Sequence, residues 1–231
     1  MLMGPQNLPE NLRRVQERIN SAARAIGRPV ESVTILAVTK SQPPATLRLA
    51  HQAGLADFGE SYVQEATAKI QALRDLPLTW HFVGHIQSNK TRIIAEQFAW
   101  VHALDRLHIA ARLSEQRPFH AAALNVCLQV NLDAEASKGG VAPAEVADLA
   151  MQVTALPRLR LRGLMCIPPA SADLALQRRR FAALAALLAH LNAGGAALDT
   201  LSMGMSADLE AAVMEGATIV RVGTALFGAR K

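Results

Sequence analysis

A lysine behind an apolar run, an arginine near the far end of the chain and two glycine-containing turns are the residues whose types and spacing could do chemistry together. Lys40 follows the β-branched, apolar stretch 33–39. Such a strand suits a parallel sheet covered on both faces, and its carboxyl end faces the ligand crevice of that sheet. A lysine amine there forms a Schiff base with a carbonyl once it is partly deprotonated, and desolvation or a neighbouring cation such as Arg221 favours that state. Residues 203–208, Met-Gly-Met-Ser-Ala-Asp, and 221–225, Arg-Val-Gly-Thr-Ala, each offer a glycine and a hydroxyl, from Ser206 and Thr224, where backbone N–H groups can meet an anion. Taken singly, Ser206 reads as a helix cap and Gly223 as a turn glycine. Together with Lys40 they imply a phosphorylated aldehyde. Pyridoxal 5'-phosphate meets every requirement, and so does a sugar phosphate in a Schiff-base aldolase.

The elements that must position these residues alternate regularly. Leu8, Leu12, Val15, Ile19 and Ala22 recur at helical spacing and give an amphipathic helix stopped by Gly27 and Pro29. A strand over 33–40 follows, then Pro43 or Pro44 opening a helix. A short strand over 55–58 leads to Ser61 with Gln64 three residues later, the pattern of a capping box. Further strand-like runs cover 80–83, 99–104, 124–130, 159–165 and 200–203, each followed by a loop and helical spacing, and 219–222 closes the series, for eight in all. Strand–helix alternation gives right-handed crossovers and a parallel sheet, and eight units at 231 residues favour an α/β fold with a single (β/α)8 barrel over an open doubly wound sheet. Little chain follows the eighth strand, so the amino-terminal helix is expected to pack where an eighth crossover helix would lie. Residues 1–231 read as one domain, with 1–30 as that packing segment. In a closed barrel the first strand adjoins the eighth, which brings Lys40 beside Arg221 and both turns.

Composition narrows the alternatives. A hydrophobic fraction of 51% is ample for a buried core. Cys127 and Cys166 lie in apolar runs without metal-ligand spacing, as reduced packing thiols of a cytoplasmic protein would. The net charge of +5 permits anionic ligands, but the basic run 178–180 opens a helix and lacks aromatic partners, so nucleic-acid binding is not expected. No apolar stretch is long enough for a membrane span. His81 and His85 straddle a strand end and a turn with no carboxylate at ligand spacing, so no metal is expected.

Six stretches, 37–40, 58–65, 80–90, 163–165, 202–206 and 220–224, resemble the pyridoxal phosphate homeostasis protein family. The resemblance implies a fold type III barrel akin to the alanine racemase amino-terminal domain, with pyridoxal 5'-phosphate held as a Schiff base on Lys40. It implies that Ser206, Gly223 and Thr224 hold the phosphate and that Arg221 faces the pyridine nitrogen. Met203, in the same stretch as Ser206, joins the cofactor-binding set, and Ser61, His81 and Lys138 are further candidates. Ser61 stands where the family usually has asparagine. The loop 131–140 keeps Glu135, Lys138 and Gly140 of the family pattern. An arginine can only donate, so the pyridine nitrogen would stay unprotonated and the ring would be a weak electron sink. Related racemases resemble a two-base design with a tyrosine from another domain, whereas the single tyrosine here, Tyr62, lies in the second strand–helix loop. The expectation is a monomeric carrier or buffer of the cofactor that acts in B6 vitamer and amino-acid homeostasis, with B6 vitamers and apo-enzymes as partners and little or no catalysis of its own. A racemase-like enzyme is the alternative.

Overall fold

Short β-branched runs separated by amphipathic helices pack with the fewest exposed edges when every strand is parallel and the sheet closes on itself. The computed structural model describes residues 7–133 and 139–228 and has that form. The strands are β1 (Thr34–Val38), β2 (Asp57–Glu60), β3 (Thr79–Phe82), β4 (Trp100–Leu104), β5 (Leu124–Gln129), β6 (Leu159–Met165), β7 (Thr200–Ser202) and β8 (Ile219–Val222). They neighbour one another in chain order, and β8 pairs with β1 through Leu36 opposite Arg221 and Ala37 opposite Val222. The helices are α1 (Leu8–Ala25), α2 (Pro44–Gln52), α3 (Val63–Ala72), α4 (Thr91–Gln97), α5 (Leu107–Gln116), α6 (Val146–Thr154), α7 (Leu174–Ala193), α8 (Leu209–Met214) and α9 (Thr224–Phe227). Among the described residues, no helix is long and apolar enough to cross a membrane.

The main hydrophobic core lies between the strands and the helical ring. Phe58 of β2 packs with Trp80 of β3 at 6.0 Å, and Phe82 meets Phe98 edge-on at 5.3 Å. Phe58, Phe82, Phe98 and Phe181 are fully buried, each contributing about 2–3 kcal/mol of burial. Asp57 of β2 and His81 of β3, one position away from these aromatic residues, are polar. His102 of β4 lies 2.7 Å from Ser202 of β7, and strands so far apart in the ring can only meet across the barrel interior.

α9 is one turn long, and α1 docks on α8 and α9 beside it. Asn11 Nδ2 donates to Leu226 O at 2.8 Å, and Arg18 grips Glu210 at 2.6 and 2.7 Å. Arg28 donates to Val213 O and Ala217 O at 2.9 and 3.0 Å. Val15, Ile19 and Ala22 bury the apolar face of α1.

The first strand is shorter than its composition suggests. β1 ends at Val38, because the Thr39 hydroxyl turns to Glu60 and Ser41 adopts φ 66°, which no strand accommodates.

Candidate functional site

The loops at the carboxyl ends of β1, β2, β6, β7 and β8 enclose a cavity of about 340 Å³. Lys40, Ser61, Ser206, Arg221, Gly223 and Thr224 line it, along with Val38, Gln42, Ile167 and Phe227. Its size is in the range of small-ligand pockets.

Lys40 sits on a turn that a buried charge cluster grips from below. Lys69 of α3 donates to Thr39 O at 2.7 Å, to Glu60 Oε1 at 2.7 Å and to Glu65 Oε1 at 2.6 Å. The Thr39 hydroxyl donates to Glu60 Oε1 at 2.5 Å, and the Ser41 N–H donates to Glu65 Oε1 at 2.6 Å. Both neighbours of Lys40 are therefore fixed by one ammonium and two carboxylates. Glu60 is wholly buried, and its Oε2 has no partner among the described residues. Burial raises its pKa, while Lys69 and Thr39 pull the other way.

Arg221 is held by neutral oxygens. Nη1 donates to Ser202 O at 2.5 Å and to Ser202 Oγ at 2.9 Å, and Nη2 donates to Cys166 O at 2.8 Å. Burial lowers its pKa, opposed by the field of Cys166, Asp208 and Cys127, but an arginine stays charged through such a shift. Burial likewise pushes the Cys127 and Cys166 thiols up to about 12, so both are inert packing thiols.

The two turns are joined rather than merely adjacent. Ser206 Oγ accepts from the Ala225 N–H at 3.1 Å, and Ser206 O accepts from Arg18 of α1 at 3.0 Å. Asp208 shapes the first turn by accepting from the Met205 N–H at 2.6 Å. At Gly223 a Cβ would stand 3.3 Å from Val38 O, so β1 presses on this turn.

The family described as "Alanine racemase, N-terminal domain" matches residues 10–231. A pyridoxal phosphate homeostasis protein of Pseudomonas aeruginosa is 60% identical over 223 residues, 96% of this chain and 96% of that one. The chain belongs to the pyridoxal phosphate homeostasis protein family. A crystal structure of an unknown protein from Bifidobacterium adolescentis has a TM-score of 0.91 at 32% identity, covering 96% of this chain and 95% of that one. PipY of Synechococcus elongatus, solved with PLP bound, has a TM-score of 0.81 at 41% identity, covering 93% of this chain and all of that one.

Of the residues that the homeostasis-family resemblance singles out, the structure brings Lys40, Ser61, Ser206, Arg221, Gly223 and Thr224 to one cavity. Met203 does not join them. Its side chain is fully buried in the hydrophobic core, and Met205, two residues on, lines the cavity instead. His81 is also outside the lining: it is buried, bonded to Asp57 and His102, and stacked on Trp100 at 5.5 Å. Lys138 and Glu135 lie outside the described residues. The capping box is absent, since the residue before α3 is Tyr62 and no side chain caps the helix. Ser61 faces the cavity, and its backbone abuts Gly84, where a Cβ would fall 2.3 Å from Ser61 O. Lys69 escapes a sequence reading because a mid-helix lysine looks solvated; the carboxylate at Glu65, one turn earlier, is the signal that could have flagged it.

Proposed function

We propose that this chain binds pyridoxal 5'-phosphate in the cavity, held as a Schiff base through Lys40, and carries or buffers it for intracellular B6 vitamer and amino-acid homeostasis. The observation that carries the reading is the convergence of an amine, a guanidinium and two hydroxyl-bearing turns on one cavity. That donor set fits the group: Lys40 for the aldehyde, Ser206 and Thr224 hydroxyls with the Gly223 backbone for the phosphate, and Arg221 for the ring nitrogen. The PLP-bound structure of PipY supports the same reading. When bound, the cofactor supplies an electrophilic aldehyde and a conjugated ring that can take up electron density. Arg221, unable to accept a proton, keeps the ring nitrogen unprotonated and the ring a weak sink.

Little or no catalysis of its own belongs to this reading. Tyr62, the single tyrosine, is 60% exposed and borders a neighbouring groove rather than the cavity. A racemase-like enzyme is the second reading, favoured by the match to the alanine racemase domain. We read residues 1–231 as one domain, a cytoplasmic monomer whose partners are B6 vitamers and the apo-enzymes that receive the cofactor.

The test is the absorbance of purified protein loaded with pyridoxal 5'-phosphate, followed by borohydride reduction and mass mapping. A visible band and a label on Lys40, both lost in Lys40→Ala, are expected. Colourless protein, or a band that survives Lys40→Ala, overturns the reading. Lys40-dependent turnover of an amino acid promotes the racemase.

A further inference from the structure

Behind Arg221 a line of polar side chains crosses the barrel interior. Arg221 Nη1 is 2.9 Å from Ser202 Oγ, and Ser202 Oγ is 2.7 Å from His102 Nδ1. His102 Nε2 is 2.9 Å from His81 Nδ1, and His81 Nε2 is 3.0 Å from Asp57 Oδ1. Ser202, His102 and His81 are completely buried, whereas the Asp57 side chain keeps 30% of its exposure and borders a groove beneath α1 at the other end of the barrel. The line thus runs from the cavity to the opposite mouth.

The two ends dictate the direction of every bond. Arginine has only donors, so Ser202 Oγ accepts from it. An ionised Asp57 has only acceptors, so His81 Nε2 carries a proton toward it. Each neutral imidazole has one donor and one acceptor. His81 Nδ1 therefore accepts from His102 Nε2–H, and His102 Nδ1 accepts from the Ser202 hydroxyl. Burial lowers the pKa of both histidines, in keeping with neutral rings. Among the described residues Arg221 has no carboxylate at ion-pair distance; its bonds go to Ser202 and to a backbone carbonyl. A buried cation so placed is stabilised by oriented dipoles, and a chain of bonds that all point one way polarises each member in turn.

We propose that Asp57, His81, His102 and Ser202 are positioning residues for Arg221, forming a one-way hydrogen-bond relay that holds the guanidinium at the cavity and transmits to it the charge of a carboxylate at the far mouth. The proposal rests on the cofactor reading for its consequence, since Arg221 then faces the ring nitrogen. A direct carboxylate partner would neutralise Arg221 and turn it away; the relay steadies it while leaving it a donor. The other titratable groups nearby are Asp208, Cys127 and Cys166 beside Arg221 and the Arg162–Asp199 pair, with Arg162 4.8 Å over the Trp100 ring that His81 stacks on.

Two measurements test it. In protein without cofactor, 15N-resolved imidazole spectra at pH 7 should show His81 and His102 as neutral Nε2–H tautomers; an Nδ1–H tautomer or an imidazolium at either position overturns the relay. In protein loaded with pyridoxal 5'-phosphate, the pH midpoint of the visible band should move downward in Asp57→Asn and in Ser202→Ala, because each removes negative influence from Arg221. The double variant should move no further than the larger single shift, and Ser202→Thr, which restores the hydroxyl, should return it toward the parent value. Additive shifts, or none in coloured protein, overturn the proposal. Asp57→Asn changes a partly exposed group and keeps an acceptor, so it tests the charge without emptying the interior. Absence of colour in the parent protein would count against the cofactor reading alone, and the tautomers would still decide the relay.

Discussion

Gly84 has no room for a side chain, and that constraint reaches the cavity through one neighbour. A Cβ there would fall 2.3 Å from Ser61 O and 2.8 Å from Ser61 Cα, both backbone atoms that cannot swing aside. Gly84→Ala should therefore displace the loop that carries Ser61, lowering stability by roughly 1–3 kcal/mol and weakening cofactor retention, as thermal unfolding and a titration with pyridoxal 5'-phosphate would show. Gly223→Ala makes a useful contrast. Its Cβ would meet Val38 O at 3.3 Å and its φ of −117° suits any residue, so the fold should hold while the phosphate turn loses affinity. Lys40, Ser206, Arg221, Gly223 and Thr224 were legible as a set because strand ends and glycine turns leave marks in the sequence. His81 was not. Its partners Asp57 and His102 sit on neighbouring strands, and a histidine inside Trp-His-Phe-Val reads as one more position of an apolar strand. Only the register of β2 and β3 with β4 makes the contact visible.

At the scale of elements, α3 acts as a bracket for the turn after β1. Lys69 is 3% exposed and holds Glu60, Glu65 and the Thr39 carbonyl at once. Lys69→Met would leave Glu60 buried without its cation, a change expected to cost about 3–5 kcal/mol. Denaturant unfolding measures that loss. The visible band of the loaded protein should weaken in parallel, since Thr39 and Ser41 lose their anchors; a full-strength band would mean that the bracket is dispensable for Lys40. The same bracket explains why local signals misplaced two boundaries. Ser61 and Gln64 have capping-box spacing, yet the chain spends the first turn of α3 on Glu65, whose carboxylate serves Ser41 and Lys69. The run through residue 40 has strand composition, yet it stops at Val38 because the side chain of Thr39 is committed to Glu60. Tertiary demand overrode propensity at both places.

For the whole molecule, the barrel was readable from the eight-fold alternation alone, but the polarity of its interior was not, because inward positions on short strands are too few to show a period. That interior predicts a response to acid. The native pKa values of His81 and His102 lie below those of the unfolded chain. Above about pH 6.5 neither state binds protons on them; below it the unfolded chain takes them up first, so stability falls by about 1.4 kcal/mol per pH unit for each imidazole until the native rings also protonate. Melting temperatures of the apoprotein from pH 7 to pH 5 should fall, and fall less in His102→Gln; an equal fall in both would remove His102 from the account. The pairing of β1 with β8 has a different consequence. These are the first and last strands, they run parallel, and the cavity joins Lys40 beyond one to Ser206 and Thr224 around the other. Tension applied between the amino and carboxyl sides of the chain would load that seam in shear, and an occupant tied to both sides would act as a rivet across it. Single-molecule pulling should then record a higher rupture force with pyridoxal 5'-phosphate than without, and the difference should vanish in Lys40→Ala.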